Sequence, residues 1–193
     1  MTDYRCERCA DHPVPPVRSV ARTPRTLPGM TVRPIRLFGD PVLRTPADPV
    51  VSFDTALRRL VDDLEDTVRE PGRAGVAAPQ IGVSLRVFAY HVDGVVGHLV
   101  NPQLSEFAGT QDDEEGCLSV PGLAFPTPRA LSVVATGQDR DGAAVRIAGT
   151  GHLARALQHE TDHLDGRLYI DTLAGDTRRQ ALRELRRIQP AVG

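Results

Sequence analysis

The sequence predicts an α+β fold, and three observations carry that prediction. One amphipathic helix comes early, two hairpin patterns follow, and the most chemically loaded helix comes late. Strands grouped before the main helix favour antiparallel sheets over alternating βαβ units.

The first element is a helix over residues 54–70. Leu57, Leu60, Val61, Leu64 and Val68 recur at helical spacing and form one apolar stripe. Ser52 or Asp54 can cap its start, and Pro71-Gly72 ends it. Leu85, Val87 and Ala89 then alternate as in a strand, and Val95 to Val100 follow an Asp93-Gly94 turn. A second hairpin joins 131–135 to 144–148 through Asp141-Gly142. Residues 150–165 read as a helix with Thr150 as candidate cap. The last helix, about 176–189, places Leu182, Leu185 and Ile188 on one side.

Three segments result: a leader at 1–29, a domain at 30–175, and a basic helix with tail at 176–193. The leader is rich in Pro and Arg with little periodicity, so it is expected to be disordered. Met30 opens a more regular stretch and is a candidate true start. Cys6-x-x-Cys9, with His12, looks like half of a zinc ribbon, but the second pair that would close the site is absent nearby, so a chance pattern in a tail is preferred.

Bulk properties exclude several functions. The chain has 193 residues, 40% of them hydrophobic, enough for one buried core. A formal charge of −2 gives no general attraction to DNA, and 4% aromatics without Trp offer little base stacking. No apolar run reaches the roughly 18 residues that suggest a membrane span, and no apolar core of a secretory signal is visible. Cys6, Cys9 and Cys117 are too few and odd in number for a disulfide framework. A cytoplasmic protein is expected.

The chemistry concentrates in His159-Glu160-Thr161-Asp162-His163. Residues four apart share a helix face, so both imidazoles can grip one ion. Glu160 beside the first of them can exchange a proton with water that the ion acidifies. The apolar residues Leu153, Ala156, Leu157 and Leu164 give the helix a face to bury. A downstream third ligand is unpromising: Tyr169 stands where an extended zinc-peptidase pattern needs His, and Glu184 lies in an Arg-rich segment.

Upstream, Cys117 lies in Glu115-Gly116-Cys117-Leu118-Ser119. A thiolate and two imidazoles would leave one coordination position open, the mark of a catalytic site. A buried structural cysteine is the alternative. Gly75-Val76-Ala77-Ala78-Pro79-Gln80 is a small-residue loop that allows close approach, and the Gln80 amide could meet a developing oxyanion. A packing turn is the other reading.

Together the three segments resemble peptide deformylase. The order and separations of Gly75 to Gln80, Glu115 to Ser119 and Gln158 to Gly166 match that family over about residues 30–175. The resemblance implies antiparallel sheets packed around a central metal-binding helix. It implies Cys117, His159 and His163 as metal ligands and Glu160, Gln80 and the Leu118 backbone as the catalytic groups. Gly75, Val76, Glu115 and Gly116 become expected substrate contacts. It also implies one divalent ion, usually Fe2+ with Zn2+, Ni2+ or Co2+ able to replace it, and N-formyl-methionyl nascent peptides as substrates.

Two departures stand out. Arg73 falls where the family loop begins with Gly, and Ala124 where many members carry Arg, although Arg129 is present. Two other functions stay open: a zinc endopeptidase, and a noncatalytic paralogue binding the ribosome through Arg178, Arg179, Arg183, Arg186 and Arg187.

Overall fold

The computed structural model describes residues 31–188. The expectations for the leader, for Cys6, Cys9 and His12, for a start at Met30 and for the final residues 189–193 lie outside the described residues.

Helix α1, Thr55–Val68, begins where predicted. Asp54, not Ser52, is its cap: the carboxylate accepts from the backbone N–H groups of Ala56 and Leu57 at 2.9 and 3.0 Å. The apolar stripe is buried, with Leu57, Val61, Leu64 and Val68 in one cluster with Val76, Val87 and Ala89.

The main sheet is antiparallel, in the order β1-β2-β3-β6-β7. These strands are Gly75–Ala77, Val87–Val92, Val95–Ala108, Ser132–Gln138 and Ala144–Thr150. A separate hairpin pairs β4, Glu114–Cys117, with β5, Val120–Pro126. The Asp93-Gly94 turn is tight, with φ of 51° and 76°, and joins Val92 to Val95 directly.

Strand β3 runs eight residues past the predicted end at Val100. Its register shifts between Val100 and Gln103 and again between Ser105 and Ala108, and Asn101 and Glu106 have positive φ. Such bulges erase the simple alternation from which strands are read. The Asn101 side chain bonds the N–H and C=O of Val50 at 2.8 and 2.9 Å, which supports the irregular backbone.

Helix α2, Gly151–Leu164, packs across β1, β2, β6 and β7. Thr150 occupies the cap position, but its side chain makes no capping bond, a correction to the expectation. Ala154, Leu157 and Leu164 are buried with Phe88, Leu99, Val133 and Ala135. The short α3, Tyr169–Thr172, and α4, Gly175–Ile188, cover the hairpin, burying Tyr169, Ile170, Ala181 and Leu185 against Val120, Leu123 and Phe125. Helix α2 therefore has the large sheet on one side and the hairpin within reach on the other. Among the described residues no helix is long and apolar enough to cross a membrane.

Candidate metal centre

Helical spacing places His159 and His163 one turn apart on α2, with ring centroids 4.9 Å apart and planes at 74°. The β4–β5 hairpin carries Cys117 to them from 42 or more positions upstream. Its Sγ lies 3.3 Å from His163 Nε2, and ligand atoms of Cys117, His159 and His163 all lie within 4.8 Å of one another. One soft thiolate and two imidazoles suit zinc, ferrous iron, cobalt or nickel. The set fits a single divalent ion.

Each ligand is held differently. His159 hydrogen-bonds Glu115 Oε1 through Nδ1 at 2.7 Å and stacks on Tyr169, centroids 6.3 Å apart. This fixes the ring with Nε2 toward the thiolate, the arrangement that metal-binding histidines ordinarily use. His163 is buried, and its Nδ1 has no hydrogen-bond partner among the described residues. Burial opposes protonation at both rings. At His159 the Cys117 thiolate and the Glu115 hydrogen bond prevail and raise its pKa, while His163 is lowered by burial and by the charge of His159.

Glu115 is the hub of a buried ion network. Besides His159 it accepts from Arg129 Nε and Nη2, at 3.0 and 2.7 Å, and from Arg155 Nη1 at 2.7 Å. Arg129 also donates to Asp162 at 2.6 Å, and Arg167 pairs with the other Asp162 oxygen. Burial alone would raise the Glu115 pKa, but hydrogen bonds from His159 and Arg129 hold it well below the usual carboxylate range.

Glu160 is buried beside His159, and its Oε2 has no hydrogen-bond partner among the described residues. Burial pushes its carboxyl up to about 7, against the lowering effect of the His159 charge. Gly75 explains its own identity here: a Cβ on that residue would overlap the Glu160 carboxylate. The loop glycine makes room for the acid.

Gln80 is buried next to the thiolate. Its Oε1 accepts from Ala77 N–H at 2.8 Å, while Nε2 points at Cys117 Sγ, 3.8 Å away, and Ser119 Oγ, 3.3 Å away. Leu118 follows Cys117 and lines the same cleft, a cavity of about 600 Å³ that also exposes Gly75, Gly116, His159 and Glu160.

Strand geometry places the expected substrate contacts differently. Val76 is fully buried in the core under α1, because its neighbour Gly75 takes the cleft side of β1. Glu115 lies against the cleft, yet its carboxylate is consumed by His159, Arg129 and Arg155. Gly75 and Gly116 do border the cavity.

Comparison with known proteins agrees with this geometry. The polypeptide deformylase family model matches residues 32–179. The chain belongs to the polypeptide deformylase family. It is 59% identical over 157 residues to a peptide deformylase of Acidothermus cellulolyticus, covering 81% of this chain and 87% of the relative. A peptide deformylase of Parafrankia sp. is 58% identical with the same coverage. The crystal structure of a peptide deformylase from Legionella pneumophila superposes with a TM-score of 0.76 at 41% identity, covering 81% of this chain and 95% of that one. The expected α+β architecture is thereby established, as is a metal-dependent hydrolase.

The two departures from the deformylase family pattern have simple local causes. Gly72, φ 81°, provides the left-handed turn, so Arg73 needs no unusual backbone; its guanidinium donates to Thr67 C=O at the end of α1, 2.9 Å away. Ala124 pairs with Gly116 across the hairpin and presents only a methyl to the cleft.

Arg155 and Asp162 were missed as site residues, and Arg129 was noticed without a role. A clue to Asp162 lies inside the motif, three residues after His159 and therefore on a neighbouring helical face. The contacts of Arg129 and Arg155 span 14 to 40 positions and leave no local signal.

Proposed function

We infer that this protein removes the formyl group from N-formyl-methionyl peptides with one divalent ion held by Cys117, His159 and His163, in nature Fe2+. The observation that carries the reading is the convergence of those three ligand atoms beside a buried acid, Glu160, with a cleft in front of them. When bound, the ion would supply Lewis acidity and a water that ionises near pH 7.

The chain's own groups supply the rest. Glu160 takes the proton of the attacking water and delivers it to the leaving amine; a carboxyl held near pKa 7 suits both tasks. The oxyanion that develops on the formyl oxygen is met by the Leu118 backbone N–H and by Gln80 Nε2. The Gln80 amide can serve by exchanging its 3.3 Å contact with Ser119 for the substrate. Glu115 keeps His159 oriented throughout. The first residue of the substrate lies in the cleft bordered by Gly75 and Gly116. A cytoplasmic location and nascent chains as substrates accord with this chemistry, and the exposed arginines Arg183, Arg186 and Arg187 on α4 would suit ribosomal RNA.

The test is formate release from a formyl-Met peptide by anaerobically prepared protein of known metal content. Glu160→Ala should keep its metal and lose most turnover, by two to four orders of magnitude on the scale of general acid/base catalysis, roughly 10²–10⁴. Normal turnover in that variant would remove Glu160 from the mechanism. Cys117→Ser should lower metal content, since a hydroxyl replaces a soft thiolate; full retention would refute ligation. Cleavage of internal peptide bonds instead of formate release would restore the endopeptidase reading.

A further inference from the structure

Arg155 lies one turn before His159 on α2 and lines the cleft with Ala156, His159, Leu123 and Ala124. Its side chain is only 8% exposed. Nη1 is fully used, donating to Glu115 Oε2 at 2.7 Å and Thr127 C=O at 3.0 Å. Nη2 is buried and has no hydrogen-bond partner among the described residues. Its ion pair with Asp113 Oδ2 is a long one, 3.9 Å, to a side chain that is 80% exposed. A buried guanidinium nitrogen without an acceptor is costly, so a ligand that offers one is favoured there.

We propose that Arg155 is a specificity-determining residue whose Nη2, which lacks a hydrogen-bond partner, turns to a neutral acceptor on the first side chain of the substrate, so that formylated chains beginning with methionine sulfoxide are good substrates. This rests on the deformylase reading, which puts the formyl group at the metal centre and the first side chain along the wall formed by His159, Ala156 and Arg155.

The rest of the wall sets the class of acceptor. Leu123, Ala124 and Gly116 are small or apolar and offer no side-chain donor beside Arg155, while His152 and Arg73 stand elsewhere on the cleft lining. Glu114 and Glu115 border the same space, and Glu115 already offsets part of the Arg155 charge. A carboxylate would meet two acids, whereas a sulfoxide oxygen is a strong acceptor without charge. Methionine sulfoxide keeps the length of the unoxidised side chain and adds one oxygen on the sulfur, and arises by ordinary oxidation.

The test compares kcat/KM for three peptides that differ only in the first residue: formyl-methionine, formyl-methionine sulfoxide and formyl-norleucine. Wild-type enzyme should process the sulfoxide at least as well as norleucine, despite its greater polarity. R155K, which keeps the cation beside Glu115, and R155M should lose about tenfold to hundredfold on the sulfoxide relative to norleucine, the range for a lost charged hydrogen bond. A wild-type enzyme slower on the sulfoxide than on norleucine would overturn the proposal, and so would equal losses on all three peptides, which would mark Arg155 as structural. The wild-type ratio decides alone if a variant fails to fold. Failure on formyl-methionine itself would sink the deformylase reading instead.

Discussion

Two ion networks of nearly the same composition occur in this molecule. One joins Glu115, Arg129, Asp162 and His159 behind the metal centre. The other joins Glu65, Arg140, Asp62 and His98 where α1 faces the start of β3 and the turn after β6. Each has a histidine Nδ1 at 2.8 Å or less from a glutamate that also pairs with an arginine. They differ in exposure. The side chains of Glu115, Arg129 and Asp162 are 3%, 7% and 7% exposed. Those of Glu65, Arg140 and Asp62 are 16%, 26% and 60% exposed. Water can substitute for a lost partner in the second network and cannot in the first. The same side chains therefore act as a rigid mount in one place and as surface trim in the other.

Breaking the buried network should have the larger effect. Arg129→Met leaves Glu115 with Arg155 and Asp162 with Arg167, but removes the cation common to both acids. Taking one partner from a buried pair costs about 3–5 kcal/mol, so unfolding in denaturant should show a loss of at least the lower figure. With Glu115 less well held, the His159 ring loses its anchor. Metal affinity, read by competition with a chelator, should fall by about 10- to 100-fold, the scale seen when outer-shell partners of metal ligands are changed. A loss below about 1 kcal/mol with unchanged metal affinity would place the two networks in one class and remove the mount from the mechanism.

This contrast also separates what the sequence made legible from what it did not. Helices α1 and α2 were readable because a 3.6-residue period repeats over several turns, and a period survives without knowledge of the partner surface. The hairpin that delivers Cys117 was not readable as strands. Glu114–Cys117 is four residues with a glycine, β5 carries Pro121 and Pro126, and the register shifts between Gly116 and Cys117. Its chemistry was legible only as a motif shared with a family. Val76 shows the cost of that route: a motif names residues without saying which way a strand turns each one. The role of Arg129 depends on a glutamate 14 positions before it and an aspartate 33 positions after it, pairings that only the fold creates.

The surface network offers the smallest effect and the cleanest sign. Glu65 has its pKa lowered chiefly by the hydrogen bond with His98, against some burial, with further help from Arg140 and Arg69; Tyr90 also lies near it, its own pKa raised by burial and then by the Glu65 charge. A carboxylate with a lowered folded pKa binds fewer protons in the native state than in the unfolded one. Its stabilisation is present above the unfolded value, near 4.5, and disappears as pH falls through the lower folded value. Glu65→Gln should therefore cost about 0.2–1 kcal/mol at pH 7 and leave deformylation unchanged. The difference in Tm between the wild type and this variant should be greatest above pH 5 and shrink toward zero as the solution is acidified. A difference that stayed constant down to pH 3.5 would mean that Glu65 acts through packing and not through its charge. A difference above about 3 kcal/mol would mean that this network too is closed to water, and the contrast in exposure would no longer explain why only one of the two holds a catalytic ligand in place.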